Sequence, residues 1–247
     1  MPLPSRTLTT PFSVHSGPDA SGVNGWASAL VAAALDPLLG LTALDRLYTD
    51  LPVGDFIDGA LERLGITVTV SEEERRHIPE TGAAIVVANH PTGAIDGLAL
   101  ARTVMQRRQD VRLLGNRLLM RVPEMRDRVI AVDPFDPRSI ENRRGLRAAR
   151  AWLARGGLLI VFPAGEVSST PSVDGGLVDP PWQRGVLGLA KWARAAVVPA
   201  FIDASTSRWF KIAGWLHPYL RTALLPRELL RLRNRAIGVR LAPAIQP

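Results

Sequence analysis

The sequence predicts an α/β fold, a single domain with a largely parallel central sheet flanked by helices and preceded by an N-terminal helical appendage. Apolar runs recur along the chain without the alternation that marks a strand with one solvated face. Helix-like segments separate these runs, as the crossover between parallel strands requires. Together the two patterns favour strands that are covered on both faces.

The elements follow from these patterns in chain order. Residues 1–24, rich in Pro, Ser, Thr and Gly, are predicted as an irregular arm, and residues 25–64 as a helical segment. Asp55 is predicted to cap the last helix of that segment, and Gly65 is predicted to end it. Residues 65–247 are predicted to form the main domain.

Predicted strands cover residues 66–70, 83–89, 111–116, 129–133, 157–165, 195–202 and 237–245. Helices are predicted between them at residues 97–109, 139–155 and 183–195. Ser139, together with Asn142, is expected to cap the helix that begins there, because a side-chain oxygen can accept from the free N–H groups of a first turn.

The composition narrows the classes of protein that the chain can represent. Of the 247 residues 47% are hydrophobic and 21% charged, which is typical of a globular protein. The sequence contains no cysteine, which excludes disulfide and thiolate chemistry. The net charge is +7, and from Arg208 onward eight cations face one acid, Glu228. Such a tail suits anionic lipid headgroups, or it is an ordinary solvated helix face.

Two further patterns bear on partners. The stretch Arg221–Arg240 contains no aromatic residue, so the base stacking of single-strand binding is not expected and neither is a nucleic-acid partner. The longest apolar stretch, Trp26–Leu44, is interrupted by Asp36-Pro37 and falls short of the roughly 20 clean apolar residues of a spanning helix. It is interpreted as a peripheral or monotopic membrane contact, with an ordinary buried helix as the alternative.

Polar side chains follow several predicted strands at the point where each strand ends. They are Asn89-His90 with Asp96, Gly115-Asn116-Arg117, and Gly165-Glu166 with Ser168. In open α/β sheets ligands bind outside the carboxyl ends of the strands, so these clusters are expected to share one mouth.

His90 and Asp96 could form a general base and the carboxylate that orients it. Taken alone, the pair fits a loop histidine that is hydrogen-bonded to backbone better than it fits a catalytic pair. No serine elbow, phosphate-binding glycine loop, dinucleotide fingerprint or zinc motif accompanies it. A serine nucleophile, a bound nucleotide and a metal site therefore have no support in the sequence.

Three ordered blocks resemble the PlsC-like glycerolipid and lysophospholipid acyltransferases: VVANHPTGAIDG, GGLLIVFPAGEVS and VLGLAKWARAAVVPAFI. The family's Asn-His and Asp correspond to Asn89, His90 and Asp96, its Phe-Pro-type loop to residues 162–165, and its Val-Pro strand to Val198-Pro199. The tail HPYLRTALLPRELLRLRNRAIGVRLAPAI resembles the hemolysin-like branch of that family.

The resemblance implies an O-acyltransferase that moves a fatty acyl group from acyl-CoA or acyl carrier protein to the hydroxyl of a lysophospholipid or glycerol-phosphate acceptor. It implies His90 as the general base and Asp96 as its orienting carboxylate, with no cofactor and no metal. Backbone N–H groups around Gly93 or Gly165 are expected to stabilise the oxyanion. The implied location is the cytoplasmic face of the membrane. Implied substrate-binding residues are Asn89, Asn116, Arg117, Arg121, Gly165, Glu166 and Ser168.

The chain departs from the commoner family pattern in two ways. Five residues rather than four separate His90 from Asp96, and the turn through Gly93 has to absorb the extra one. The usual Glu and Arg of the third block are replaced by Ala164 and Val167, so Glu166 is expected to take the acid's place if the segment is extended.

The missing cation at Val167 favours an alternative acceptor, a lyso-aminolipid such as lyso-ornithine lipid. A third hypothesis is a non-enzymatic, basic membrane-binding module in which the His–Asp pair is structural.

Overall fold

The structure, a computed structural model, describes residues 39–51, 55–134, 136, 138–172, 177–207, 210 and 218–247. The chain divides into two compact units. One unit contains Thr67–Thr206 and Ala236–Pro247, and the other contains Met1–Ile66 and Ser207–Arg235. Residues 207–235, predicted as part of the main domain, thus group with the N-terminal helical segment.

The first of these units contains a seven-stranded sheet. The strands are β1 (Thr67–Thr69), β2 (Ala84–Ala88), β3 (Val111–Asn116), β4 (Val129–Val132), β5 (Leu158–Val161), β8 (Ala196–Asp203) and β9 (Ala236–Leu241). Their order in the sheet is β1-β9-β8-β2-β5-β3-β4. All pairings are parallel except that of β8 with β9. The predicted α/β class and its largely parallel sheet are confirmed.

Burial follows the position of each strand in the sheet. Every residue of β2 and of β5, which lie at the centre, is buried, whereas the edge strand β1 is mostly exposed. The seven predicted strands all appear, with ends shifted by a few residues. A short antiparallel hairpin, β6 (Thr170–Pro171) with β7 (Leu177–Val178), was not predicted.

Helices cover the sheet. They are α3 (Glu72–Arg75), α4 (Ala94–Met105), α5 (Ile140–Ala154) and α6 (Gly185–Ala193), and two 3-10 helices span Arg117–Arg121 and Pro123–Met125. Ser139 caps α5 as predicted, because its hydroxyl accepts from the N–H of Glu141. The predicted capping role of Asn142 is wrong, because its side chain bonds to the backbone of Asp133 and Asp136. Helix α5 lies close on β4 at Gly145, where an added Cβ would be 2.5 Å from the carbonyl oxygen of Ala131.

The second unit contains α1 (Leu41–Thr49), α2 (Phe56–Arg63) and α7 (Pro218–Arg231). The Asp55 carboxylate accepts from the N–H of Ile57 at 2.9 Å, and Gly65 follows α2 with φ 64°, as the sequence predicted. The predicted arm at 1–24 and most of the Trp26–Leu44 stretch lie outside the described residues. Among the helices of the described ranges, none combines the length and the apolar character needed to cross a bilayer.

A buried arginine ties three loops together at the amino-terminal edge of the sheet. The Arg108 guanidinium donates to the carbonyl oxygens of Pro79, Gly82 and Gly156 and makes a two-pronged contact with the Asp110 carboxylate. Hydrogen bonding to Arg108 holds the pKa of Asp110 below its usual range. All five N–H donors of the guanidinium are thereby engaged.

Arg108→Lys is expected to lower the free energy of unfolding by about 2 kcal/mol, because an ammonium group cannot reproduce the fork and leaves buried carbonyls unpaired. Urea denaturation measures the change. Arg147→Lys, on an exposed position of α5, is the matched control and should stay within about 0.5 kcal/mol of the parent. Equal stability of the two variants would contradict the assignment.

Candidate functional site

The carboxyl ends of neighbouring strands bring His90 and Phe162 side by side. β2 pairs with β5 in register from Ala84 and Leu158 to Val87 and Val161, and the two residues follow these strands. Their rings are stacked, with centroids 4.0 Å apart and planes inclined by 21°. The aromatic face of Phe162 therefore limits the positions that the imidazole can take.

Asp96 is a fully buried carboxylate in the first turn of α4. Its Oδ2 accepts from the backbone N–H groups of Thr92 at 2.7 Å and Gly93 at 2.9 Å, and its Oδ1 accepts from the Thr92 hydroxyl at 2.5 Å. A negative charge here is also favoured by the helix macrodipole, whose positive end lies at the N-terminus. Asp96 therefore caps the first turn of α4 from within it, by accepting from the N–H of the N-cap residue Gly93, and its carboxylate also faces the His90 imidazole.

His90 Nδ1 lies 3.0 Å from Asp96 Oδ2, so the predicted pair does come together. Although the two atoms are this close, the carboxylate oxygen lies off the direction of an Nδ1–H bond, and Nδ1 makes no hydrogen bond to any described residue. The Asp96 side chain is fully buried and the His90 side chain 19% exposed. The imidazole is consequently reachable from solvent while its partner is not.

The backbone of His90 is held on both sides. Its N–H donates to Asp179 Oδ1 at 3.0 Å, and its carbonyl oxygen accepts from the N–H of Ser168 at 2.8 Å. The Ser168 hydroxyl donates to the same Asp179 oxygen at 2.6 Å, and Trp182 Nε1 donates to Asp179 Oδ2 at 2.9 Å. Residues from three separate segments of the chain thus meet at the backbone of one residue.

The Asn89 side chain is engaged with the neighbouring strand. Its Oδ1 accepts from the N–H of Ile202 at 2.7 Å, and its Nδ2 donates to the carbonyl oxygen of Ile202 at 3.0 Å. The amide continues the pairing of β2 with β8 by one step beyond the end of β2. Asn89 therefore fixes the position from which His90 projects, while a direct contact with substrate stays a prediction.

The predicted binding residues at the end of β3 and on the 3-10 helix after it lie further along the same edge. Asn116 caps the 3-10 helix by accepting from the N–H of Leu118 at 2.9 Å. Arg117 is 71% exposed, with Nη1 3.8 Å from Glu141 Oε1, and Arg121 is exposed. Because β3 is two strands from β2, the separation of the strands is about 10 Å. An extended acceptor could span that distance.

The loop after β5 differs from the expectation. Residues 163–166 form a turn rather than an extended segment, so Glu166 does not follow Ala164 in strand alternation. The turn is closed by a hydrogen bond from the Gly165 N–H to the carbonyl oxygen of Phe162 at 3.0 Å, with Gly165 at φ 76°. Ala164 and Val167 are buried, and Glu166 is half-buried.

The proposed oxyanion donors are both occupied. The N–H of Gly93 donates to Asp96 and that of Gly165 donates to Phe162, so neither is open to a developing oxyanion in this structure. Ser168, predicted to bind substrate, is 3% exposed and gives its hydroxyl to Asp179. These contacts make the third block a support for His90.

Sequence reasoning missed Thr92, Asp179 and Trp182. Thr92 lies inside the recognised motif and is 1% exposed, so its hydroxyl could have been considered as a partner for Asp96. Asp179 is 89 residues from His90 and no spacing rule connects them. Within the described residues there is no cluster of three or more His, Cys, Asp or Glu side chains suited to a metal ion.

Comparison with known protein families identifies the class of protein to which this site and fold belong. A model of the acyltransferase family matches residues 40–232. The chain therefore belongs to the acyltransferase family, which confirms the family resemblance carried by the three sequence blocks.

Among the proteins similar to the chain are a curated relative and a protein of known structure. The lyso-glycine lipid O-acyltransferase of Phocaeicola vulgatus is 28% identical over 157 residues, which are 63% of this chain and 54% of that protein. The chain thus spans about half the length of this curated relative. The second is the 1-acyl-sn-glycerophosphate acyltransferase PlsC from Thermotoga maritima, known from a crystal structure. The match covers 88% of this chain and 83% of the PlsC chain, with 16% sequence identity and a TM-score of 0.42.

Asn89→Asp is expected to destabilise the protein by about 2 kcal/mol, because a carboxylate still accepts from the N–H of Ile202 but opposes the carbonyl oxygen of Ile202 with a second acceptor. Asn116→Asp is the matched control. Asn116 only accepts, and Asp caps helices as well as Asn does, so its change should be within about 0.5 kcal/mol. Urea denaturation of both variants decides, and equal losses would contradict the role given to Asn89.

Proposed function

We propose that the protein transfers a fatty acyl group from an acyl thioester, acyl-CoA or acyl carrier protein, to the hydroxyl of a lysolipid. The observation that carries the proposal is the contact of His90 Nδ1 with Asp96 Oδ2 at 3.0 Å, at the carboxyl end of a central strand in a chain of the acyltransferase family. The proposal needs no cofactor and no metal, since His90 and the thioester supply the chemistry.

The reaction proceeds by direct attack. With Nδ1 facing Asp96, the neutral imidazole presents Nε2 as the proton acceptor. Nε2 takes the proton of the lipid hydroxyl as that oxygen forms a bond to the thioester carbonyl carbon. The C–S bond then breaks, and the imidazolium returns the proton to the departing thiolate. The Asp96 charge stabilises the imidazolium in between.

The acceptor is a lysolipid whose free hydroxyl lies near a polar headgroup. Two observations favour a lyso-aminolipid over a glycerol phosphate. Val167, at the position of the usual family Arg, is buried and brings no cation to the loop. The relative from Phocaeicola vulgatus is named for a lyso-glycine lipid. For a phosphate-bearing acceptor, Arg117 and Arg121 are the proposed contacts.

We propose in addition a peripheral contact with the cytoplasmic face of the membrane. The 3-10 helix Arg117–Arg121 carries Leu118, 55% exposed, between two exposed arginines, and Ile140, 57% exposed, begins α5 at the same edge of the sheet. Aliphatic side chains flanked by cations suit an anionic lipid interface. A lipid acceptor would then enter the site from the surface that the protein rests on.

His90→Ala is expected to reduce acyl transfer by at least 10³-fold, since proton transfer and imidazolium stabilisation are both lost. Release of free thiol from acyl-CoA and from acyl carrier protein is measured against lyso-ornithine lipid, lyso-glycine lipid, lysophosphatidic acid and glycerol 3-phosphate. His77→Ala is the control, because His77 Nδ1 bonds to the carbonyl oxygen of Leu241 and takes no part in the site.

The outcomes separate the hypotheses. Turnover of an aminolipid but not of lysophosphatidic acid supports the favoured acceptor, and the reverse overturns it. Parental activity in His90→Ala would refute the role of the histidine. Vesicle binding by the parent protein without turnover of any thioester would favour the non-enzymatic membrane module.

Leu118→Ser is expected to lower partition onto phosphatidylglycerol-containing vesicles about tenfold, which corresponds to the loss of one partly buried leucine side chain. Co-sedimentation measures the partition. Ile245→Ser is the matched control: Ile245 is 58% exposed, and its backbone pairs with Val197 at the opposite edge of the sheet. A loss of the same size in both variants would show that the Arg117–Arg121 edge has no special part in binding.

A further inference from the structure

The carboxylate of Asp179 gathers three donors from segments that are far apart in sequence. Oδ1 accepts from the N–H of His90 at 3.0 Å and from the hydroxyl of Ser168 at 2.6 Å, and Oδ2 accepts from Nε1 of Trp182 at 2.9 Å. Within the described part of the chain, its hydrogen-bond donors are all neutral groups. Hydrogen bonds to an ionised acceptor are about twice as strong as neutral ones, so the arrangement is a firm anchor rather than a chance loop contact.

Asp179 and Ser168 together bind both backbone polar groups of His90. Asp179 takes the N–H of His90, while Ser168 donates its own N–H to the His90 carbonyl oxygen at 2.8 Å. The Ser168 hydroxyl also donates to Asp179, so the three residues form a closed ring of hydrogen bonds. We call these three residues, His90, Ser168 and Asp179, the backbone clamp. Rotation of the His90 backbone would break at least one of its bonds.

The contact of His90 with Asp96 is sensitive to such rotation. Nδ1 is 3.0 Å from Oδ2 but lies off the line of a hydrogen bond, so a small change in ring orientation decides whether the bond forms. Phe162 restricts the ring on one face, yet stacking allows it to slide in its own plane. The backbone clamp supplies the restraint that stacking cannot.

We propose that Asp179 is a positioning residue that holds the His90 backbone so that the imidazole can engage Asp96 and the substrate hydroxyl. The inference rests on the proposed function of His90 as general base. Both carboxylate oxygens of Asp179 are committed to donors of this chain, so Asp179 itself does not take part in proton transfer. Asp179 does contact Ser168, a predicted substrate-binding residue, but Ser168 is 3% exposed and donates its hydroxyl to Asp179. The effect of Asp179 is therefore expected in the chemical step.

Asp179→Ala is expected to lower kcat for acyl transfer about 10²-fold with less than a threefold change in KM for the thioester, because a displacement of about 1 Å at a reacting group has this effect. Asp179→Asn retains an acceptor for the His90 N–H and should recover about tenfold of that loss. Ser168→Ala, which leaves its backbone donor in place, should lower kcat by about tenfold. The control Asp127→Asn, on an exposed turn before β4, should be unchanged.

A second measurement does not depend on turnover. The amide proton of His90, bonded to a carboxylate, should move upfield in the NMR spectrum of Asp179→Ala and not in that of Asp127→Asn. If the parent protein turns over no acyl thioester, the proposed function fails while the amide shift still reports the clamp. The proposal is overturned by an Asp179→Ala variant with kcat within twofold of the parent, by an unmoved His90 amide, or by kcat losses that only follow the folded fraction.

Discussion

One buried carboxylate serves both a helix terminus and a histidine, and the arrangement of the site depends on it. Asp96 accepts from two backbone N–H groups and a hydroxyl at the start of α4, and this network fixes its side chain before any substrate arrives. A charge buried in this way is tolerable because three donors and the helix macrodipole replace its hydration. His90 therefore meets a carboxylate that is already immobilised, so positioning the pair reduces to positioning the histidine.

The histidine is positioned from its backbone outward. Asn89 extends the pairing of β2 with β8 through Ile202. The backbone clamp holds the N–H and the carbonyl group of His90, and Phe162 stacks on the His90 imidazole. Ile202 lies on β8, and Phe162 and Ser168 both follow β5, so the parallel order of β8, β2 and β5 brings these supports to one place. The pairing of the strand backbones therefore sets the position of the His90 side chain at the carboxyl end of the sheet.

Features carried by local pattern were predictable from the sequence. The buried strand before His90, the capping role of Asp55 and that of Ser139 all follow from hydrophobic runs and short side-chain acceptors. Contacts over long separations were not. Asp179 and Arg108 look in sequence like ordinary surface charges, and only the folded chain shows that each bonds to backbone groups of distant loops. For Glu166 a local pattern is misleading. Strand alternation predicts that it points the same way as Ala164, but the chain turns at Gly165 and the alternation does not continue.

The extra residue between His90 and Asp96 is absorbed outside the helix. Gly93 adopts φ 85° and ψ −122°, a conformation that a residue with a side chain rarely takes, and α4 begins directly after it. Thr92, the residue before that glycine, is buried, and both its N–H and its hydroxyl bind Asp96. Thr92 thus supplies two of the three hydrogen-bond donors to the Asp96 carboxylate, and His90 Nδ1 lies 3.0 Å from Asp96 Oδ2. The geometry requires that the acid stand in the first turn of α4, facing the end of β2, and the residue count between the two partners is a consequence of how the turn reaches that point.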